Sequence, residues 1–225
     1  MRHLLIPLLG ALALSACAGL PAARMVLPVP LADQRPETLA GLSGGTRGEF
    51  RLPGAEGRYE RSATRLDLFE AVRRDRASAR TTLRWADGRE ARLDCVGREL
   101  SARLGALAGR VQPWALRCEG GPGTVLELSD PGGVTGAKAG TRAERQGRLD
   151  FPGGQLVLRS VHRVEGSPLP LEAPIGYVVT HGGRPVGAVE LNGLTPRLWR
   201  PPAGDPLHEP VTLVLLALAL VWDPA

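Results

Sequence analysis

The chain has 225 residues, 43% of them hydrophobic, enough for one domain with a real core. Its 29 glycines and 20 prolines, with only 4% aromatics, argue against a fold of long helices and for many short strands and turns. The formal net charge of +5 is carried almost wholly by arginine, Lys138 being the only lysine, a bias read first as codon composition and only second as chemistry.

The N-terminus reads as a targeting segment. Arg2 supplies a positive start, Leu4 to Leu14 an apolar stretch, and Leu14-Ser15-Ala16-Cys17 closes it. Those four residues resemble a bacterial lipobox. The resemblance implies that residues 1–16 are a removed signal peptide and that Cys17 carries a diacylglyceryl thioether and an acylated amino group, palmitate for example. It also implies, from Ala18 rather than an aspartate after the cysteine, an outer-membrane address with the domain facing the periplasm. At ~0.8 kcal/mol per buried CH₂, two or three acyl chains hold a protein durably where one does not. The alternative is an ordinary secretory signal whose small-residue cleavage site includes a cysteine.

Removing Cys17 leaves Cys95 and Cys118, an even pair in an oxidising compartment. They are expected to form a disulfide, worth roughly 3 kcal/mol on the chain-entropy model. A metal site is the alternative, but two cysteines without a nearby histidine make a poor one. Residues 17–46 read as a Pro/Gly/Ala-rich tether and 47–225 as a single domain. Within the tether, Gly41-Leu42-Ser43-Gly44-Gly45 fits the G-x-S-x-G pattern of serine hydrolases. That motif needs a strand before the serine and a helix after it, and neither is readable here.

Short runs between turn signals predict about twelve strands: Glu49–Leu52, Arg58–Arg61, Thr64–Phe69, Arg80–Trp85, Arg89–Cys95, Trp114–Glu119, Thr124–Ser129, Gly147–Phe151, Gln155–Ser160, Gly176–Thr180, Pro185–Glu190 and Pro196–Arg200. Ala86-Asp87-Gly88 and Gly182-Gly183 are the clearest hairpin turns. A Gly-rich, charged loop runs from about Pro131 to Arg145. One interval differs: Leu100, Leu104, Leu107 and Val111 recur at helical spacing, which predicts a helical flap between the cysteines, weakened by Gly105 and Gly109.

The last stretch, Val211 to Trp222, reads V-T-L-V-L-L-A-L-A-L-V-W without a charge. Pro210 suits a first helical turn, and Asp223-Pro224 stop the run, predicting a helix over about 210–222. Thirteen helical residues span roughly 20 Å, short of a hydrocarbon core about 30 Å thick. A helix apolar all round is then buried in protein. The rival is a central strand, because Leu216, Leu218 and Leu220 alternate with Ala217 and Ala219.

The expected fold is therefore all-β: an antiparallel barrel around its C-terminal helix. The strand pair Tyr177-Val178-Val179 through Val186-Gly187-Ala188-Val189-Glu190, followed by Pro210 to Asp223, resembles in layout the tubby-like barrels, namely tubby C-terminal domains, LURP-one-related proteins and phospholipid scramblases. That resemblance implies binding of anionic phospholipid head groups or a membrane-proximal scaffold. The alternative folds are a lipocalin-like barrel, with its helix outside and its interior free, or a β-sandwich.

Charge is uneven. Arg47 through Arg117 holds sixteen arginines against ten acids, whereas residues 119–225 hold nine basic against eleven acidic. Arg73, Arg74 and Arg76 are the densest cluster and the candidate contact for anionic lipid, since arginine holds phosphate in a bidentate fork. A solvated basic face is the alternative reading. His162, His181 and His208 show no metal-ligand spacing. Ser160 and His162 could join an acid in space as a hydrolytic triad. No cofactor motif is present, and nucleic acid is not an expected partner outside the cytoplasm. The expected function is a non-catalytic lipid-binding or envelope-scaffold lipoprotein, with the membrane or another envelope protein as partner. A periplasmic hydrolase is the alternative.

Overall fold

One antiparallel sheet of twelve strands curls around a helix. The structure, a computed structural model, describes residues 23–68, 71–104, 107–131 and 143–221. In chain order the elements are α1 (Val29–Ala32), β1 (Glu37–Thr38), β2 (Arg47–Leu52), β3 (Ala55–Leu68), β4 (Val72–Trp85), β5 (Glu90–Leu104), β6 (Leu107–Glu119), β7 (Val125–Ser129), β8 (Gln146–Phe151), β9 (Gly154–Val161), β10 (Gly176–His181), β11 (Arg184–Glu190), β12 (Arg197–Trp199) and α2 (His208–Leu220). From β2 to β12 each strand pairs with its neighbour in the chain, and β1 adds to β12. The sheet edges nearly meet, because Ala40, just past β1, exchanges both backbone hydrogen bonds with Arg51 of β2 at 3.1 and 2.8 Å. The expected number of strands is reached by a different route: the runs at 58–61 and 64–69 are one strand, β3, and β1 is new.

Period-two alternation sets the faces. Along β4, Ala77, Ala79, Leu83 and Trp85 are buried while Arg76, Arg80 and Arg84 are exposed. Helix α2 fills the interior, with nine of its thirteen residues buried. It packs on β11 and β8 and also on β4 and β5 across the barrel, so it lies inside. Gly187 of β11 permits this, since a Cβ there would stand 2.6 Å from Val211 Cγ1. Both the lipocalin-like arrangement and the sandwich are thereby overturned, the first by the enclosed helix and the second by the single sheet. At ~1.5–3 kcal/mol per large apolar side chain, burying α2 stabilises the fold more than any surface ion pair can. The helix begins at His208, leaving Pro210 in the first turn; Asp223 and Pro224 lie outside the described residues.

Two other expectations are corrected. The helical flap at 100–111 does not form; β5 and β6 run through it as a hairpin. Steps of four suit one face of a strand as well as of a helix, and the step of three from Leu104 to Leu107 falls between β5 and β6, so the leucine pattern does not discriminate. Pairing does: β4 offers thirteen consecutive partners to β5, and Cys95 and Cys118 are direct cross-strand neighbours, Cα atoms 3.9 Å apart, joined by the disulfide. The tether reading of 17–46 also fails over residues 23–46. Met25 and Leu31 are buried with Ile175, Ala188 and Trp199 on the outside of β10–β12, and Leu39 joins the main core. The reason lies in β11, whose outward Ala188 is as apolar as its inward neighbours and needs a cover. Cys17 and residues 18–22 lie outside the described residues.

The barrel has two unlike ends. At one, the β2–β3, β4–β5, β6–β7, β8–β9 and β10–β11 connections are tight turns. Here Arg200, just past β12, locks the seam: its Nε donates to Glu37 at 2.6 Å, its other nitrogens to the Pro53 carbonyl at 2.6 Å and Thr212 Oγ1 at 3.1 Å. At the opposite end, β3–β6 run past their neighbours. Only residues 55–60 of β3 pair with β2 and only 115–119 of β6 with β7, so the remainder projects as a four-stranded ribbon. The disulfide sits at the ribbon's root.

Candidate functional site

The expected cluster Arg73, Arg74 and Arg76 lies on the ribbon, but strand alternation divides it. Arg73 shares the inner face with Asp75 and pairs with its direct cross-strand neighbour Asp67, Nε to Oδ1 2.8 Å. One step along, Arg65 pairs in the same way with the buried Asp75 at 2.8 Å. Arg73 therefore belongs to a paired inner row and not to an outward patch with Arg74 and Arg76.

Arg74 and Arg76 point outward and are exposed. The β4–β5 register sets Arg76 directly opposite Arg98, and Arg74 opposite Leu66 on one side and Leu100 on the other. Directly opposed side chains have Cβ atoms about 5 Å apart, where like charges destabilise a sheet. None of Arg74, Arg76 and Arg98 has an acidic partner among the described residues. Nearer the turn end of the same face charges mostly pair: Arg80 with Asp94 at 2.8 Å, Arg58 with Glu49 at 3.2 Å, and Arg84 with Glu56. The Arg84 guanidinium, bonded to Glu56, holds that carboxyl below its ordinary pKa. The ribbon thus carries three arginines on one outer face, Arg74 between Leu66 and Leu100, Arg76 between Thr64 and Arg98, and Arg98 between Arg76 and Ala115, with no carboxylate directly opposite any of them. Sequence reading missed Arg98 because it ended the strand at Cys95.

The ribbon's inner face borders a cavity of about 250 Å³ at the barrel mouth, lined by Arg65, Arg73, Asp75, Trp114 and Arg145 among others. Arg145 stacks on the Trp114 ring at 4.0 Å and donates to Tyr177 Oη at 3.4 Å. Its positive groups are held by carboxylates, an indole face and a phenol, an arrangement suited to closing the barrel over α2. Residues 132–142 of the expected Gly-rich loop lie outside the described residues.

The structure does bring Ser160 and His162 together. Ser160 Oγ is 3.0 Å from His162 Nε2, and His162 Nδ1 is 3.1 Å from the Leu171 carbonyl. A carbonyl only accepts, so Nδ1 carries the proton and Ser160 donates to Nε2. The third position of a triad is then a backbone carbonyl and not an acid, and Ser160 Oγ already accepts from the Arg145 amide at 2.9 Å. His181 Nδ1 contacts the Gln155 carbonyl, and His208 Nδ1 the Pro201 carbonyl, His208 lying against Trp85. Ser43 lies in the irregular stretch between strands β1 and β2 with no helix after it; its Oγ shares a hydrogen bond with the Tyr59 hydroxyl at 3.1 Å. Among the described residues no three His, Cys, Asp or Glu side chains are grouped to hold a metal ion.

No family model matches the chain, and no curated protein or solved structure matches it significantly.

Proposed function

We propose that this protein is a non-catalytic lipoprotein, anchored through Cys17 on the periplasmic face of the outer membrane, whose ribbon binds anionic lipid head groups through Arg74, Arg76 and Arg98. The observation that carries the reading is the opposition of Arg76 and Arg98, with Arg74 beside them and no acid paired to any of the three among the described residues. Such a patch is unfavourable alone and becomes favourable against phosphate, which each guanidinium can take in a bidentate fork. Leu66 and Leu100 flank it, giving the patch the mixed character that suits a head-group region. With α2 occupying the barrel, a ligand is expected on the outside. The tubby-like resemblance lends the layout of a barrel around an apolar helix and nothing residue-specific.

The test is sedimentation of the domain from Ala18 onward with vesicles of phosphatidylglycerol and phosphatidylcholine. At ~1 kcal/mol per arginine near an anionic surface, reversing all three with Arg74→Glu, Arg76→Glu and Arg98→Glu lowers binding by roughly a hundredfold or more. Unchanged binding to anionic vesicles overturns the lipid reading and leaves a protein partner for the patch. A second reading, a periplasmic hydrolase, has the Ser160–His162 contact in its favour. It predicts that Ser160→Ala abolishes turnover of a model ester, and an unaltered rate ends it.

A further inference from the structure

The chain enters its fold at the ribbon end. Ala23 offers its carbonyl to Asn192 in the β11–β12 connection, Arg24 accepts from the Glu165 amide at 2.8 Å, and Met25 bridges to Val164 in the β9–β10 connection. Both connections lie at the same end as the β3–β4 and β5–β6 tips, because consecutive antiparallel strands alternate direction. Only five residues, 18–22, separate Cys17 from Ala23. The six steps from Cys17 to Ala23, fully extended, reach at most ~22 Å.

Exposed apolar side chains gather at that end too. Of eight large apolar residues exposed among the described ones, six are there: Leu66 and Leu68 on β3, Val111 on β6, Leu169 and Leu171 between β9 and β10, and Leu194 between β11 and β12. Leu169 and Leu194 are 73% and 104% exposed, so their side chains are left almost wholly to solvent. The opposite end presents turns of glycine, proline and aspartate instead, such as Pro53-Gly54 and Asp87-Gly88. Arg163, Glu165 and Glu172 accompany Leu169 and Leu171, so that connection contributes apolar area while the ribbon contributes the positive charge.

We propose that the barrel stands on a bilayer carrying anionic lipid by its ribbon end, with Leu169, Leu171 and Leu194 entering the head-group region while Arg74, Arg76 and Arg98 meet the phosphates. This stance rests on the lipid-binding function proposed for the ribbon and adds an orientation and a second, apolar foothold. A short lead from the anchor, an apolar fringe and an uncompensated basic face at one end together fit a membrane surface.

The orientation is testable in the full lipidated chain reconstituted into vesicles of phosphatidylglycerol and phosphatidylcholine. Cys17 is then acylated and Cys95–Cys118 bonded, leaving a single introduced thiol for a fluorophore in Leu169→Cys, in Leu194→Cys, or at the turn end in Ala203→Cys. Lipid-borne nitroxide quenches labels at 169 and 194 severalfold more strongly than the label at 203 if the proposal holds. Stronger quenching at 203 means the barrel stands the other way up and overturns it. Equal, weak quenching at all three sites, in a protein whose Arg74/Arg76/Arg98 reversal still weakens vesicle binding, overturns the end-on stance while the lipid-binding function survives. Weak quenching with no effect of the reversal removes both.

Discussion

The turn end and the ribbon end of this barrel are built on opposite terms. At the turn end, polar groups are met from within: Arg200 satisfies Glu37, Pro53 and Thr212 together, and Arg89 reaches both Asp87 and Glu209. At the ribbon end the inner row, Arg65–Asp75 and Arg73–Asp67, is paired in the same way, but the outer row leaves Arg76 facing Arg98 and Leu66 in water. One end closes the fold. The other carries what the fold has no use for, which marks it as the end that meets something else.

That contrast predicts unequal effects of substitution. Arg200→Met takes from the seam the buried guanidinium that serves Glu37, Pro53 and Thr212, leaving the Ala40–Arg51 backbone pair, and losing three charge-assisted hydrogen bonds costs ~3 kcal/mol or more. Urea denaturation is expected to show a large fall in midpoint, while a change under ~1 kcal/mol would mean that the seam is held elsewhere. Next comes Cys95→Ala with Cys118→Ala. Losing the cross-link costs about 3 kcal/mol, and hydrogen exchange is expected to rise first in the ribbon above the bond while the turn end keeps its protection. Uniform loss of protection would show that ribbon and barrel unfold as one unit. Smallest is Arg76→Glu, which replaces a like-charge pair with a cross-strand ion pair to Arg98 and is expected to stabilise the domain by ~0.2–1 kcal/mol.

Much of the architecture was legible because its signals are local. Turns at Ala86-Asp87-Gly88 and Gly182-Gly183, and the uncharged run after Pro210, follow from residue chemistry alone. What was not legible depends on partners distant in sequence. Leu100 to Val111 carries steps of four that helix and strand share, its step of three falls between two strands, and only the pairing of β5 with β4 and of β6 with β5 decides for strands. Residues 23–46 look like linker because their few apolar side chains make sense only against partners distant in sequence, Met25 and Leu31 against the outer face of β11 and Leu39 in the main core. Arg98 could have been found: a hairpin centred on Ala86-Asp87-Gly88 places Arg84 opposite Glu90, and counting outward from there puts Arg76 opposite Arg98. Ending the strands at Arg80 and Cys95 hid that pair, and with it the division of Arg73 from Arg74 and Arg76.

The sharpest check is to take both readouts on the single variant Arg76→Glu: stability in urea, and binding to phosphatidylglycerol vesicles over a range of salt. If the arginine pair is kept for an anionic surface, the domain becomes slightly more stable while vesicle binding weakens at least tenfold and loses part of its salt dependence. A variant that is less stable, or that binds as the unmodified domain does, would contradict that role for the pair.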